Sequence, residues 1–219
     1  SAICRDLVRI VLMGPPGAGK GTQGEILEHL LGVPRFATGD ILRHARREGT
    51  RMGREAQRFM DAGELVPDEV ILGIIGEALQ GDDAHDGFVL DGFPRTVAQA
   101  EGLGRILEDL GIHLDAILNI SVDDDEIVRR LSTRLLCSSC GTALGPGGES
   151  DEACPECGGT LVQRRDDGAE TVRYRLVVYR NQTEPVLSWY RDSGARVVDV
   201  DGLGSVDEIR DRVRAGIGI

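Results

Sequence analysis

Of the 25 Lys and Arg residues in the chain, one is a lysine, Lys20, and it closes the stretch Gly14-Pro15-Pro16-Gly17-Ala18-Gly19-Lys20. The spacing G-x-x-x-x-G-K is that of a phosphate-binding loop. Glycines let successive backbone N–H groups curl around an anion, and the helix that follows adds the positive end of its dipole. An ammonium is a compact point charge that can follow a moving phosphate, whereas a guanidinium is planar and fixed in direction. A chain that otherwise uses arginine has therefore kept its one lysine where arginine cannot serve. Gly21 stands where the general pattern has Ser or Thr, with Thr22 next, so the loop does not supply the usual hydroxyl for Mg²⁺.

Further groups suited to anions follow. Thr38-Gly39-Asp40-Ile41-Leu42-Arg43 opens a helix with Thr38 or Asp40 as its cap, which sets Arg43 about one turn in. Asp91-Gly92-Phe93-Pro94-Arg95-Thr96 closes an apolar strand. Asp91 and Arg95 are then expected at the carboxyl edge of a sheet, where open α/β folds bind ligands and an acid can hold Mg²⁺. A helix cap for Asp91 and a surface charge for Arg95 are the competing readings. Arg130 and Arg134, spaced i and i+4, are expected on one helix face, where their repulsion costs roughly 0.2–0.5 kcal/mol. A bound polyanion would reverse that cost, unless Asp124 to Glu126 simply balance two solvated arginines. Of Arg173 and Arg175, two apart, at most one should reach such an anion.

Cys137-x-x-Cys140 and Cys154-x-x-Cys157 form two pairs able to close a tetrahedral thiolate shell around Zn²⁺, a structural site with no open position. Iron on the same ligands, two disulfides and a redox motif are the competing readings. Cys4 is the remainder and reads as an incidental thiol.

These groups need a scaffold. Strands are expected at Val8–Met13 and around Phe88, Ile117 and Val198. Helices are expected at Val97–Leu110, Asp124–Leu135, Thr171–Tyr190 and Val206–Val213. Such alternation implies an α/β fold, a parallel sheet covered by helices. Residues 38–67, polar and helical, and 136–163, rich in Cys, Gly, Pro and Ser, break the rhythm as inserts. At 219 residues one core domain is expected. The net charge of −12 argues against broad binding to nucleic acid or anionic membranes. No run of about 18 apolar residues is present to span a bilayer, and no leader pattern is visible, so a cytoplasmic protein is expected.

The segments GPPGAGKGTQ, TGDILR, AGELVPDE, DGFPRT with Gln99, QRRDD and ETVRYR occur in the order found in long-form adenylate kinases, over nearly the whole chain. The sequence resembles an adenylate kinase with a zinc-binding lid. The resemblance implies a P-loop NTPase core (1–37, 68–134, 169–219) with an AMP-binding insert at 38–67 and a lid at 135–168. It implies reversible phosphoryl transfer, ATP + AMP = 2 ADP, with Mg²⁺ positioned by Asp91 and Zn²⁺ structural. Lys20 and the backbone of Gly17, Ala18, Gly19, Gly21 and Thr22 would hold the donor phosphates, with Arg130 and Gly202 toward the donor adenine. Arg43 and Arg95 would clamp the AMP phosphate, and Thr38 and Gln99 would contact its adenine, with Leu65, Val66 and Gly92 in the same site. Arg134, Arg164 and Arg175 would close from the lid side. The acceptor is already an anionic oxygen, so no general base is needed, and catalysis reduces to positioning, positive charge and exclusion of water. The implied partners are ATP, AMP and ADP, with a monomer expected. The lid departs from the family pattern in a shorter segment between cysteine pairs and in Ala143 and Leu144 where an aromatic is usual; Arg165 and Ala169 receive no role. A UMP or CMP kinase is the nearer alternative, against which Thr96 and Gln99 favour AMP. A non-catalytic zinc ribbon contacting nucleic acid would need a basic face and exposed aromatics. Aromatics are 4% of the chain, and the ribbon carries Glu149, Asp151, Glu152 and Glu156.

Overall fold

The structure, a computed structural model, describes residues 8–144 and 153–219. Cys4, Glu149, Asp151 and Glu152 lie outside the described residues. The apolar, β-branched run Val8–Met13 forms β1, and the chain then alternates helix and strand. The order is α1 (Lys20–Leu31), β2 (Arg35–Ala37), α2 (Thr38–Arg47), α3 (Arg51–Ala62), α4 (Asp68–Leu79), β3 (Gly87–Asp91), α5 (Val97–Asp109), β4 (Ala116–Ser121) and α6 (Asp124–Ser132). A small antiparallel sheet follows, made of β5 (Leu135–Cys137), β6 (Ala143–Leu144) and β7 (Leu161–Gln163) in the order β6-β5-β7. A 3₁₀ turn at Arg165–Asp167 leads into α7 (Ala169–Val178), α8 (Glu184–Asp192), β8 (Val197–Asp201) and α9 (Val206–Ile217).

Five strands make the main sheet, in the order β2-β3-β1-β4-β8 and parallel throughout. Side chains alternate between its two faces, and both faces are covered over the three central strands, β3, β1 and β4, which is why these read as largely apolar runs. Ile10, Leu12, Val89, Leu118 and Val200 pack on Leu27 of α1 and Ile209 and Val213 of α9. Val11, Phe88, Leu90 and Ile117 pack on Ile75 of α4, Leu103 and Leu107 of α5, and Val186 and Leu187 of α8. Leu12 is in register with Asp91, so the end of β3 lies level with the residue two before Gly14. The crossover from β3 to β4 passes β1, and the crevice at this reversal of strand order faces the carboxyl ends of β1, β3 and β4.

Several elements differ from the sequence reading. β2 was not expected. Thr38 and Asp40 are not caps: Ala37 is the cap residue of α2, Thr38 is its first helical residue, and the Thr38 hydroxyl donates to the Gly92 carbonyl at 3.1 Å. α6 stops at Ser132 because Leu135 already belongs to β5, so Arg134 lies beyond the helix and does not share a face with Arg130. The expected helix Thr171–Tyr190 is two helices joined by a π turn, Tyr179–Thr183, ahead of Pro185 in the first turn of α8. Among the described residues no helix is long and apolar enough to cross a membrane.

Candidate active site

The loop after β1 turns through positive φ at Gly14, Gly17 and Gly19 and delivers the chain into α1, whose N-terminus no side chain caps. Its first-turn N–H groups are thus available to an anion. The Lys20 ammonium spans back across the loop, donating to the carbonyls of Gly14 and Pro15 at 2.7 Å each. Burial strips water from it, and Arg95, Arg175 and Arg134 add like charge against the one opposing carboxylate, Asp91. Together they bring its pKa down to about 7.

A pocket opens beside this loop. Thr38, Arg43, Leu65, Val66, Gly92, Arg95, Gln99, Arg164 and Arg175 line it, so residues from α2, α5, α7 and three connections converge on one hollow. Desolvation depresses the guanidinium pKa of Arg43, Arg95 and Arg175, the last to about 10, and neighbouring arginines push in the same direction. A site that concentrates positive charge to this degree suits polyanions. Carboxylates hold the arginines in place. Arg164 is bidentate to Asp166 at 3.0 and 2.9 Å, and Arg134 is bidentate to Asp167 at 2.8 and 2.6 Å. Asp167 is fully buried and also accepts from Arg175 at 3.3 Å. Asp40 pairs with Arg43. Arg95 differs: it donates Nε to the Gly92 carbonyl at 2.6 Å, and among the described residues no carboxylate pairs with it. Gln99, 1% exposed, accepts from the Arg95 N–H and donates to Asp68 Oδ1, both at 2.7 Å.

Other expected residues are placed elsewhere. Arg130 pairs with Glu126 at 2.7 Å and donates to the Gly202 carbonyl at 2.9 Å, so the two residues expected toward the donor adenine stand together, outside this pocket. Arg173 is exposed while Arg175 lines the pocket, the division that their spacing requires. Thr22 is exposed. Asp91 sits at the end of β3, 9% exposed, with Oδ2 accepting from Arg35 at 2.9 Å.

The adenylate kinase family model matches residues 12–195 of this chain, which spans the loop, the pocket and the cysteine segment. The chain belongs to the adenylate kinase family. An adenylate kinase of Gemmatimonas aurantiaca is 52% identical over 212 residues, covering 96% of this chain and 99% of that protein. Those of Thermodesulfovibrio yellowstonii and Archaeoglobus fulgidus are 47% and 44% identical, covering 92% and 95% of this chain and 95% and 97% of theirs.

In this adenylate kinase family member the four cysteines come together at the outer end of the small sheet, and their sulfurs all lie within 4.8 Å of one another. The Sγ atoms of Cys137 and Cys157 are 3.5 Å apart, those of Cys140 and Cys154 3.6 Å, and none is in a disulfide. Tetrahedral Zn–S bonds of about 2.3 Å require sulfurs about 3.8 Å apart, so the four sulfurs need only a small adjustment to enclose such an ion. Backbone N–H groups of Cys140 and Ser139 point at the Cys137 sulfur and lower its pKa to about 6, while at Cys157 the Gly159 N–H is outweighed by crowding from the Cys140 and Cys137 sulfurs and the pKa is pushed up to about 12.

Sequence reasoning passed over the acids that hold the arginines. Asp166 and Asp167 stand inside the quoted QRRDD, and Asp40 inside TGDILR, so the signal was present. It also passed over Arg35, a charge beside Phe36 at the start of a short strand.

Proposed function

We propose that the protein transfers a phosphoryl group reversibly between ATP and AMP to give two ADP. The observation that carries this reading is the convergence of Arg43, Arg95, Arg164 and Arg175 on one pocket beside the Lys20 loop, in a protein of net charge −12. Two phosphate chains laid end to end need positive charge along their whole length. The loop and its lysine serve the donor, Arg43 and Arg95 the acceptor, and the lid-side arginines the group in flight. The apolar wall of Leu65 and Val66, with Thr38 and Gln99, receives the acceptor base. The acceptor oxygen carries its charge already, and the site accordingly offers positioning and electrostatic stabilisation with no base poised to take a proton. Arg164 and Asp166 from the lid side line the same pocket as Gly63 and Glu64 from the insert, so lid and insert border one hollow, and closure there would keep water, the competing nucleophile, from the transferred group.

Magnesium bound with ATP supplies further charge neutralisation on the phosphate oxygens. Asp91 fits it, since only its Oδ2 is engaged and its carboxylate lies near Lys20. We assign zinc to the four cysteines as a structural ion, because four sulfur ligands close the set and leave no open position for a substrate.

Phosphorus NMR on the purified protein given only ADP and Mg²⁺ tests the reading. ATP and AMP appear in equal amounts if it holds; release of inorganic phosphate alone overturns it, as does, in a second run with ATP and equal AMP, UMP and CMP, preferential phosphorylation of UMP or CMP.

A further inference from the structure

Arg35 stands on β2 between the two halves of the site. Its side chain is 12% exposed and that of Asp91 11%, so the 2.9 Å contact between Arg35 Nη1 and Asp91 Oδ2 lies largely out of water. The other arm of the same guanidinium, Nη2, is 3.5 Å from Asp40 Oδ2. Asp40 gives its second oxygen, Oδ1, to Nη2 of Arg43. Four side chains thus form an alternating row, Asp91, Arg35, Asp40, Arg43, that begins at the phosphate loop and ends in the acceptor pocket. Glu25 and Glu28 of α1 also approach Arg35, at 3.4 and 3.8 Å; like Asp40, whose side chain is 55% exposed, both are open to solvent, but neither pairs with Arg43, so Asp40 alone joins the two arginines.

The charges in this row depend on one another. A phosphate arriving on Arg43 competes with Asp40 for it. Asp40 can yield because Arg35 remains as its partner, so no carboxylate is stranded beside the incoming anion. Without Arg35, Asp40 keeps Arg43 as its one ion-pair partner, with Arg164 acting from farther off, and holds it harder. At its other end Arg35 fixes Asp91 through Oδ2, the oxygen that faces Gly21 of the loop, 3.8 Å from where a Cβ on that glycine would lie. Asp91 and Asp40 lie on different elements, and a planar fork can face both at once where a single ammonium cannot.

We propose that Arg35 is a positioning residue that couples the acceptor clamp, through Asp40 and Arg43, to the carboxylate beside the phosphate loop. The proposal rests on the phosphotransfer reading for the identity of the acceptor. It touches no substrate itself; it sets how readily Arg43 is released to AMP.

Calorimetric titration of AMP into the purified full chain, without ATP or divalent metal, tests it through a double-mutant cycle. Arg35→Gln weakens AMP binding by roughly 5- to 10-fold, the lower range of couplings between sites. In a chain already carrying Asp40→Asn the same change at Arg35 has no effect on AMP affinity, because the link is already cut. Arg35→Lys keeps the charge but not the fork; it gives an intermediate shift and takes the place of the glutamine variant if that variant fails to fold. Wild-type affinity in Arg35→Gln, or a loss that persists in full alongside Asp40→Asn, overturns the coupling. If the unsubstituted protein binds no AMP, the phosphotransfer reading falls first and the coupling with it.

Discussion

Lys20 is the residue at which the chemistry of the site is most exposed to pH. Its ammonium is desolvated and its pKa stands at about 7 against an ordinary 10.5, so near neutrality the empty loop is only partly protonated. A bound triphosphate adds several negative charges and pulls that pKa back up. Binding between about pH 7 and the raised value must therefore take up a proton, and affinity must fall as pH rises through this window. ATP titrations in two buffers of different ionisation enthalpy should show net proton uptake at pH 8 and little at pH 6. Equal uptake at both values would show that Lys20 is not the group responsible. The same shift acts on the empty protein with the sign fixed by linkage. The unfolded chain keeps a proton that the fold has lost, so this group makes stability rise with pH from 7 toward 10.5. Lys20→Met removes both the charge and the two bonds to Gly14 and Pro15. By analogy with loss of a preorganised donor, kcat should drop by about 10²–10³ or more, while the sheet beneath is untouched. Retention of most activity would remove the argument built on the single lysine.

At the scale of elements, the acceptor side depends on how closely α2 and α3 approach. A Cβ placed on Gly53 would lie 2.2 Å from the Ala45 carbonyl oxygen and 2.4 Å from the Arg46 nitrogen, both backbone atoms that cannot rotate away. Gly53 also donates its N–H to the Thr50 cap at 3.0 Å. Gly53→Ala should therefore part the two helices, cost about 1–3 kcal/mol of overpacking, and raise the KM for AMP more than that for ATP. Thermal melts together with the two KM values decide it; an unchanged melting temperature would mean that α2 and α3 already sit farther apart. Contacts of this kind also explain what the sequence left unread. β1, β3 and β4 were legible because they are buried on both faces and read as apolar runs, and edge strand β8 because its valines outnumber the exposed Asp199 and Asp201. β2 was not, since it has three residues and begins on Arg35, whose partners are 5 to 56 positions away. The break between α7 and α8 carried a signal in Pro185, which lacks the N–H that a continuous helix needs. The apolar spacing on either side of it masked the widened turn. In the site, motifs located every arginine of the pocket, but Arg134 meets Asp167 across 33 positions, a distance over which spacing carries no information about pairing.

Over the whole molecule the charge is divided between an acidic exterior and a cationic hollow, and the lid is the part that must bring its share of that charge to the hollow. Its own packing is slight: Leu135, Cys137, Cys154 and Leu161, with Leu144 against them, are all the apolar material buried there among the described residues. Three short strands over so small a core do little to offset the entropy of ordering the chain, and ligation of a metal by the four cysteines would supply the stability that packing does not. The turn Arg165–Asp167 follows directly on β7, and through Asp166 and Asp167 it fixes Arg164, Arg175 and Arg134. Loss of metal should thus loosen the lid first and reach the chemistry only through those acids. Cys154→Ser, at a position 3% exposed, should release one equivalent of metal and lower the melting temperature. The KM for AMP should change less than kcat, because Arg43 and Arg95 stand on other elements. Metal analysis, melting curves and steady-state kinetics on the one variant separate these effects. If kcat and the melting temperature both survive complete loss of metal, the small sheet is held by its own packing and the thiolates have some use other than support.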